Sequence, residues 1–204
     1  MRALIMDTDV TTILSPPRLG RARPLADTFV RLRSAAAAAL LFVSLSPGIA
    51  ASQDPFKGLE LIRPSRAQAA LPFTIPTPDG KSLKLVDYKG KVVFLSFWAT
   101  WCPPCKDELP AMERLFQRTR KEGLVMLAVS VDADPKVVAS FLKEQRFTFT
   151  VGLDPTMELA NAYGVRGLPA SFIVDREGHL AALAIGPRAW DSAASQALVE
   201  GMSR

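Results

Sequence analysis

Residues 92–105 read VVFLSFWATWCPPC: a seven-residue run, a short turn, and two cysteines separated by two prolines. From Val92 to Trp98 every residue but Ser96 is apolar, so both faces of an extended segment would be greasy, which is the pattern of a central strand covered on both sides. Beyond the cysteines, Pro103 suits a first helical turn, and Leu109, Met112, Leu115 and Phe116 recur at helical spacing. Asp107, Glu108, Glu113 and Arg114 mark the wet face of that helix. Cys102 thus falls at a helix N-terminus, where backbone N–H groups and the macrodipole favour a thiolate. Cys105 follows one turn later, within bonding reach of the first sulfur.

The chain has two cysteines, and both are in this motif. A cross-link that closes so small a loop stabilises little, so a redox role is the stronger reading. Half of a zinc site would need two further ligands, and His179 is the single histidine. The order strand, reactive pair, helix is the C-x-x-C placement of a thioredoxin-like redox motif.

The segment Phe97 to Pro110, FWATWCPPCKDELP, resembles the active-site stretch of TlpA/ResA/CcmG-like thioredoxin-fold proteins. Downstream, Gly164-Val165-Arg166-Gly167-Leu168-Pro169 and the following Ala170 to Asp175 resemble that family's cis-proline loop and the strand after it. The similarity runs from about Leu71 to about Gly186. It implies an α/β chain of thioredoxin-like fold: a central mixed sheet flanked by helices, with an N-terminal β-hairpin and an inserted strand-helix element over about Ala133 to Leu153. The activity it implies is thiol:disulfide exchange.

Cys102 is the expected nucleophile, as the more exposed sulfur, and Cys105 the resolving thiol. Pro103 and Pro104 tune the pair, because proline contributes no N–H to the Cys102 sulfur. By resemblance, Pro169 is the cis-proline beside the dithiol, and the backbone of Leu168 offers hydrogen bonds to an extended substrate. Leu168 stands where such proteins often have Thr, which favours an apolar substrate residue. Trp101 forms the apolar rim, whereas Trp98 reads as core. Glu108, three residues after Cys105, occupies the position where several relatives carry an acid that handles thiol protons; partly buried, with a raised pKa, it would do so here. Ser96 stands where thioredoxins place a buried acid and cannot replace it. No cofactor, metal site or role for His179 is expected.

Outside this domain, Arg18, Arg21, Arg23, Arg31 and Arg33 precede an uncharged run from Ser34 to Ser52 with an apolar heart at Ala35 to Leu45, the layout of an export signal. Residues 1–51 are therefore read as a signal peptide cleaved after Gly48-Ile49-Ala50, or as a membrane anchor at the short limit for a span. Residues 52–70 read as a linker and 71–204 as the thioredoxin-like domain. The location expected is the periplasm, soluble or tethered to the inner membrane. The formal charge of +5 shrinks after residue 34, where 19 basic and 17 acidic side chains remain. That balance, with no basic cluster beside aromatics, gives no case for nucleic acid.

The function expected is reduction of disulfides in exported proteins, apocytochrome c or metal-site assembly factors, fed by a membrane thiol donor of the DsbD/CcdA type. Two alternatives compete. A peroxiredoxin-type thiol peroxidase needs Thr and Pro ahead of the cysteine, where Ala99 and Phe97 stand. A Cu(I) chaperone would use the thiolates alone.

Elsewhere the patterns predict strands over Leu71–Ile75, Ser82–Val86, Leu124–Val131, Phe147–Val151, Ala170–Val174 and His179–Ile185. They predict helices over Pro135–Gln145, Thr156–Tyr163, with Met157, Leu159 and Ala160 inward, and Ala189–Met202.

Overall fold

The structure is a computed structural model that describes residues 54–204. The export segment expected over residues 1–51 lies outside these. In chain order the elements are α1 (Pro55–Gly58), β1 (Thr74–Pro76), β2 (Ser82–Lys84), β3 (Val92–Trp98), α2 (Pro103–Thr119), β4 (Leu124–Ser130) and α3 (Pro135–Glu144). They continue with β5 (Thr150–Leu153), α4 (Glu158–Ala162), β6 (Ala170–Val174), β7 (Leu180–Ile185) and α5 (Ala193–Ser203).

The main sheet has the order β5-β4-β3-β6-β7 and is mixed, as expected. Strands β3, β4 and β5 run parallel, joined by the crossover helices α2 and α3, while β6 and β7 are antiparallel to their neighbours. All seven residues of β3 are buried, because both sheet faces are covered. Val92, Phe94 and Trp98 face α2, α3 and α5: Phe94 meets Trp190 edge-on at 4.6 Å and Trp98 meets Phe141 at 5.4 Å. Phe97, on the other face, packs against Tyr163 and Phe172. The β1–β2 hairpin forms a separate two-stranded sheet over β5, and there Gly152 is required by close approach. A β-carbon at Gly152 would stand 2.5 Å from Ile75 Cδ1 and 2.9 Å from Leu83 Cδ2.

Several expectations need correction. Residues 54–70, read as linker, are docked on the domain instead. Leu59 is 3% exposed, Ile62 and Leu183 exchange backbone hydrogen bonds of 2.8 and 2.9 Å, and Leu180 N–H bonds Gln68 O. The physical reason is that β7 is an edge strand whose free backbone groups need partners, and this segment supplies them. The strand predicted at Phe147–Val151 begins at Thr150, since the Thr148 N–H is bonded to Glu113 Oε2 at 2.9 Å and not to a neighbouring strand. Met157, expected inward, precedes α4 with a left-handed backbone (φ 58°) and is 36% exposed. The last helix starts at Ala193, which leaves Gly186–Trp190 as a loop. Among the described residues no helix is long and apolar enough to cross a membrane.

Candidate active site

Cys102 is the N-cap of α2, with extended backbone, and Pro103 occupies the first turn as its spacing predicts. The two sulfurs form a disulfide with the α-carbons 5.3 Å apart. The Cys105 N–H points at Cys102 Sγ from 3.3 Å, so the group that would solvate a thiolate on Cys102 is already aimed. Cys102 is the more exposed residue of the pair, as expected, at 5% against 1% for Cys105, although both are buried in the disulfide form. The exposed group is Trp101, at 64%, with Pro103 and Pro104 beside it on the surface.

Register brings the second element to the same end of the sheet. Ala170 of β6 pairs with Phe97 of β3, so the loop just before β6 lies beside the turn that leads from β3 to Cys102. The Leu168–Pro169 bond in that loop is cis, and Pro169 is buried with its carbonyl bonded by Gly186 N–H at 2.8 Å. Leu168 shares with Trp101, Cys102 and Pro103 an open cleft of about 540 Å³, completed by Met157, Asn161, Val165, Arg166 and Gly167. Among the described residues, neither backbone group of Leu168 has a backbone partner, which leaves them free for an extended peptide.

Glu108 is the third element, and it lies not on the wet face of the helix but buried, with the raised pKa its position implies. It is 4% exposed, and burial pushes its carboxyl up to about 7. The opposing influences are weaker: Arg188 N–H donates to Glu108 Oε2 at 2.9 Å, and the Arg188 guanidinium adds attraction. The indole N–H of Trp190 also favours the carboxylate, although it falls outside strict hydrogen-bond geometry. On the helix, Glu108 is a same-face neighbour of Cys105. Ser96 is buried and takes a 3.1 Å hydrogen bond from Ser171, not a proton-handling position. Trp98 is core, Lys106 is exposed, and His179 lies at the far end of β7.

Two further carboxylates escaped the sequence reading. Asp132, just past β4, accepts from Thr100 N–H at 2.9 Å, Thr100 Oγ1 at 2.6 Å and Ser130 Oγ at 2.7 Å. It therefore holds the turn that delivers Cys102. Asp154 accepts the N–H groups of Leu159 and Ala160 and so anchors α4, whose start forms part of the cleft. Both contacts cross strands or loops, and nothing in local periodicity signals them. Among the described residues no three His, Cys, Asp or Glu side chains converge as a metal-binding group.

A model of the AhpC/TSA family matches residues 67–183, more than half of the chain. A curated relative, the thiol-disulfide oxidoreductase ResA of Bacillus thuringiensis subsp. konkukian, is 39% identical over 106 residues, 52% of this chain and 61% of the relative's length. ResA of Bacillus subtilis is 37% identical over 131 residues, 64% of this chain and 72% of that protein. Among solved structures, a Chlorobium tepidum protein assigned as thiol:disulfide interchange protein DsbE superposes with a TM-score of 0.64 at 33% identity, covering 69% of this chain and 99% of that one. The fold is thus thioredoxin-like, and both quoted motifs lie inside the matched stretch.

Proposed function

This chain belongs to the AhpC/TSA family, and from that membership we propose that it is an exported thiol:disulfide oxidoreductase that reduces disulfides in other exported proteins. The observation that carries the reading is a bonded Cys102–Cys105 pair at a helix N-terminus, opening into a cleft shared with Leu168 of the cis-proline loop.

In the reduced protein, the Cys102 thiolate attacks one sulfur of a target disulfide. A mixed disulfide forms and the other target sulfur leaves as a thiolate. Cys105 then attacks Cys102, the second target sulfur leaves, and Cys102–Cys105 becomes the disulfide. Two electrons pass to the target in the cycle. Cys105 must lose its proton to attack, and Glu108 is the base for that step, because a carboxyl with a pKa of about 7 accepts and returns a proton near neutral pH. Trp101 and Leu168 hold the apolar flank of the substrate, and the free backbone groups of Leu168 pair with it as an added strand. Pro103 and Pro104 limit the donors around the Cys102 sulfur.

The targets we favour are apocytochrome c or metal-site assembly factors in the periplasm. A membrane thiol donor of the DsbD/CcdA type would restore the dithiol, since an oxidising compartment cannot. The exported location rests on the arginine-rich, then apolar, residues 1–51, acting as signal or anchor. Peroxide chemistry is disfavoured because Ala99, buried three residues before Cys102, offers no hydroxyl to the sulfur.

The test is a Cys105→Ser variant expressed in the native cell. The mixed disulfide cannot then resolve, and the expected outcome is a thiol-sensitive adduct between Cys102 and an exported protein. Absence of any such adduct, or an equal yield from Cys102→Ser, contradicts the reading.

A further inference from the structure

Arg188 makes more contacts than a surface arginine needs. Its Nε donates to Leu59 O at 2.8 Å, Nη2 reaches Glu60 O at 3.4 Å, and Nη1 spans Gly186 O and Pro187 O at 3.3 and 2.9 Å. The guanidinium thereby ties the loop after β7 to the docked N-terminal segment. The backbone N–H of the same residue is the donor that reaches Glu108 Oε2. The other candidate donor in this loop, Trp190 Nε1, is buried without a hydrogen-bond partner, its ring held edge-on by Phe94.

We infer that Arg188 is a positioning residue for Glu108: by clasping Leu59 and Glu60 it fixes the loop whose backbone N–H is the one donor bonded to the buried carboxylate. The inference deepens the reading of Glu108 as proton carrier and rests on it. A planar guanidinium with five donors can hold several carbonyls at once, which an ammonium cannot do in the same geometry. Residues 54–62 thus do more than cover the edge of β7. They brace the acid beside the dithiol.

The charged surroundings of Glu108 are sparse. From the loop comes Arg188, whose charge favours the carboxylate. The N-terminal segment presents carbonyls there, with exposed Glu60 beyond them. Asp191, following the loop, is paired with Arg114 at 2.8 Å. On its own helix, Cys105 and Cys102 become titratable once reduced. Loss of the clasp therefore removes both Arg188 influences and leaves the Trp190 indole to favour the ionised form.

The experiment is a carboxyl-carbon NMR titration of Glu108 in the oxidised protein, full chain, for wild type, Arg188→Ala and Arg188→Lys. The expected result is a midpoint raised by roughly one pH unit in Arg188→Ala and by less in Arg188→Lys, which keeps the charge but not the fork. A midpoint in Arg188→Ala within about 0.2 of wild type, or below it, overturns the inference. Should Arg188→Ala not fold, Arg188→Lys decides by the same criterion: a raised midpoint supports the clasp and an unmoved one overturns it. The readout is independent of exchange activity. An unmoved midpoint alongside successful Cys105→Ser trapping defeats only the clasp, and a raised midpoint with no trapping defeats only the exchange reading.

Discussion

Two buried carboxylates serve the dithiol, and they are built in opposite ways. Asp132 meets three donors, two from Thr100 and one from Ser130, and secures the turn ahead of Cys102. Glu108, one turn beyond Cys105, meets a single backbone N–H. The difference teaches that burial alone does not define a proton carrier. Asp132 brackets a turn with its donors, whereas Glu108, buried with a single bonded donor, holds its proton into the neutral range.

The comparison can be broken at the group both carboxylates serve. Cys102→Ser should lower disulfide reductase activity by roughly a thousand-fold or more, because the attacking sulfur is gone. Insulin reduction followed by turbidity measures this, and a modest loss would mean that Cys105 can attack unaided. Next in size is Asp132→Ala, expected to cost about 3 kcal/mol in urea unfolding, since the buried hydroxyl of Ser130 and the half-buried donors of Thr100 lose their acceptor. A cost below about 1 kcal/mol would show that the turn does not depend on the bracket.

Glu108→Gln should have the opposite sign. Between its ordinary value of 4.5 and about 7 the folded chain keeps a proton that the unfolded chain has lost, so stability falls as pH rises through that window. The full penalty, present above pH 7, is about 3 kcal/mol. Glu108→Gln removes it, so the variant should be more stable than wild type at pH 8 and flatter between pH 4.5 and 7. Unfolding curves across this range check it, and a parallel pH dependence in wild type and Glu108→Gln would contradict the raised titration of Glu108.

The same contrast marks what could be read from the chain. Residues 92–98, Cys102 and Cys105 were legible because each depends on local pattern, a doubly apolar run and a fixed spacing, whereas Pro169 was legible only through the resemblance of its loop to that of TlpA/ResA-like proteins. Glu108 was half legible, since its position suggested a role while helical periodicity put it with the solvated residues. Asp132 and Arg188 were not legible at all. Their partners lie 32 residues away, at Thr100, and up to 129 residues away, at Leu59, and polar contacts at such separations leave no period. Residues 54–70 misled for a related reason: their pairing answers the unmet edge of β7, a property of the folded sheet and not of the segment.

The central claim is that Cys102, not Cys105, presents the reactive thiolate. Alkylation of the reduced protein across pH, mapped by mass spectrometry, tests it most directly. Cys102 should be modified first, with a midpoint below the roughly 8.5 of an ordinary cysteine. Earlier modification of Cys105, or a Cys102 midpoint at or above that value, would contradict it.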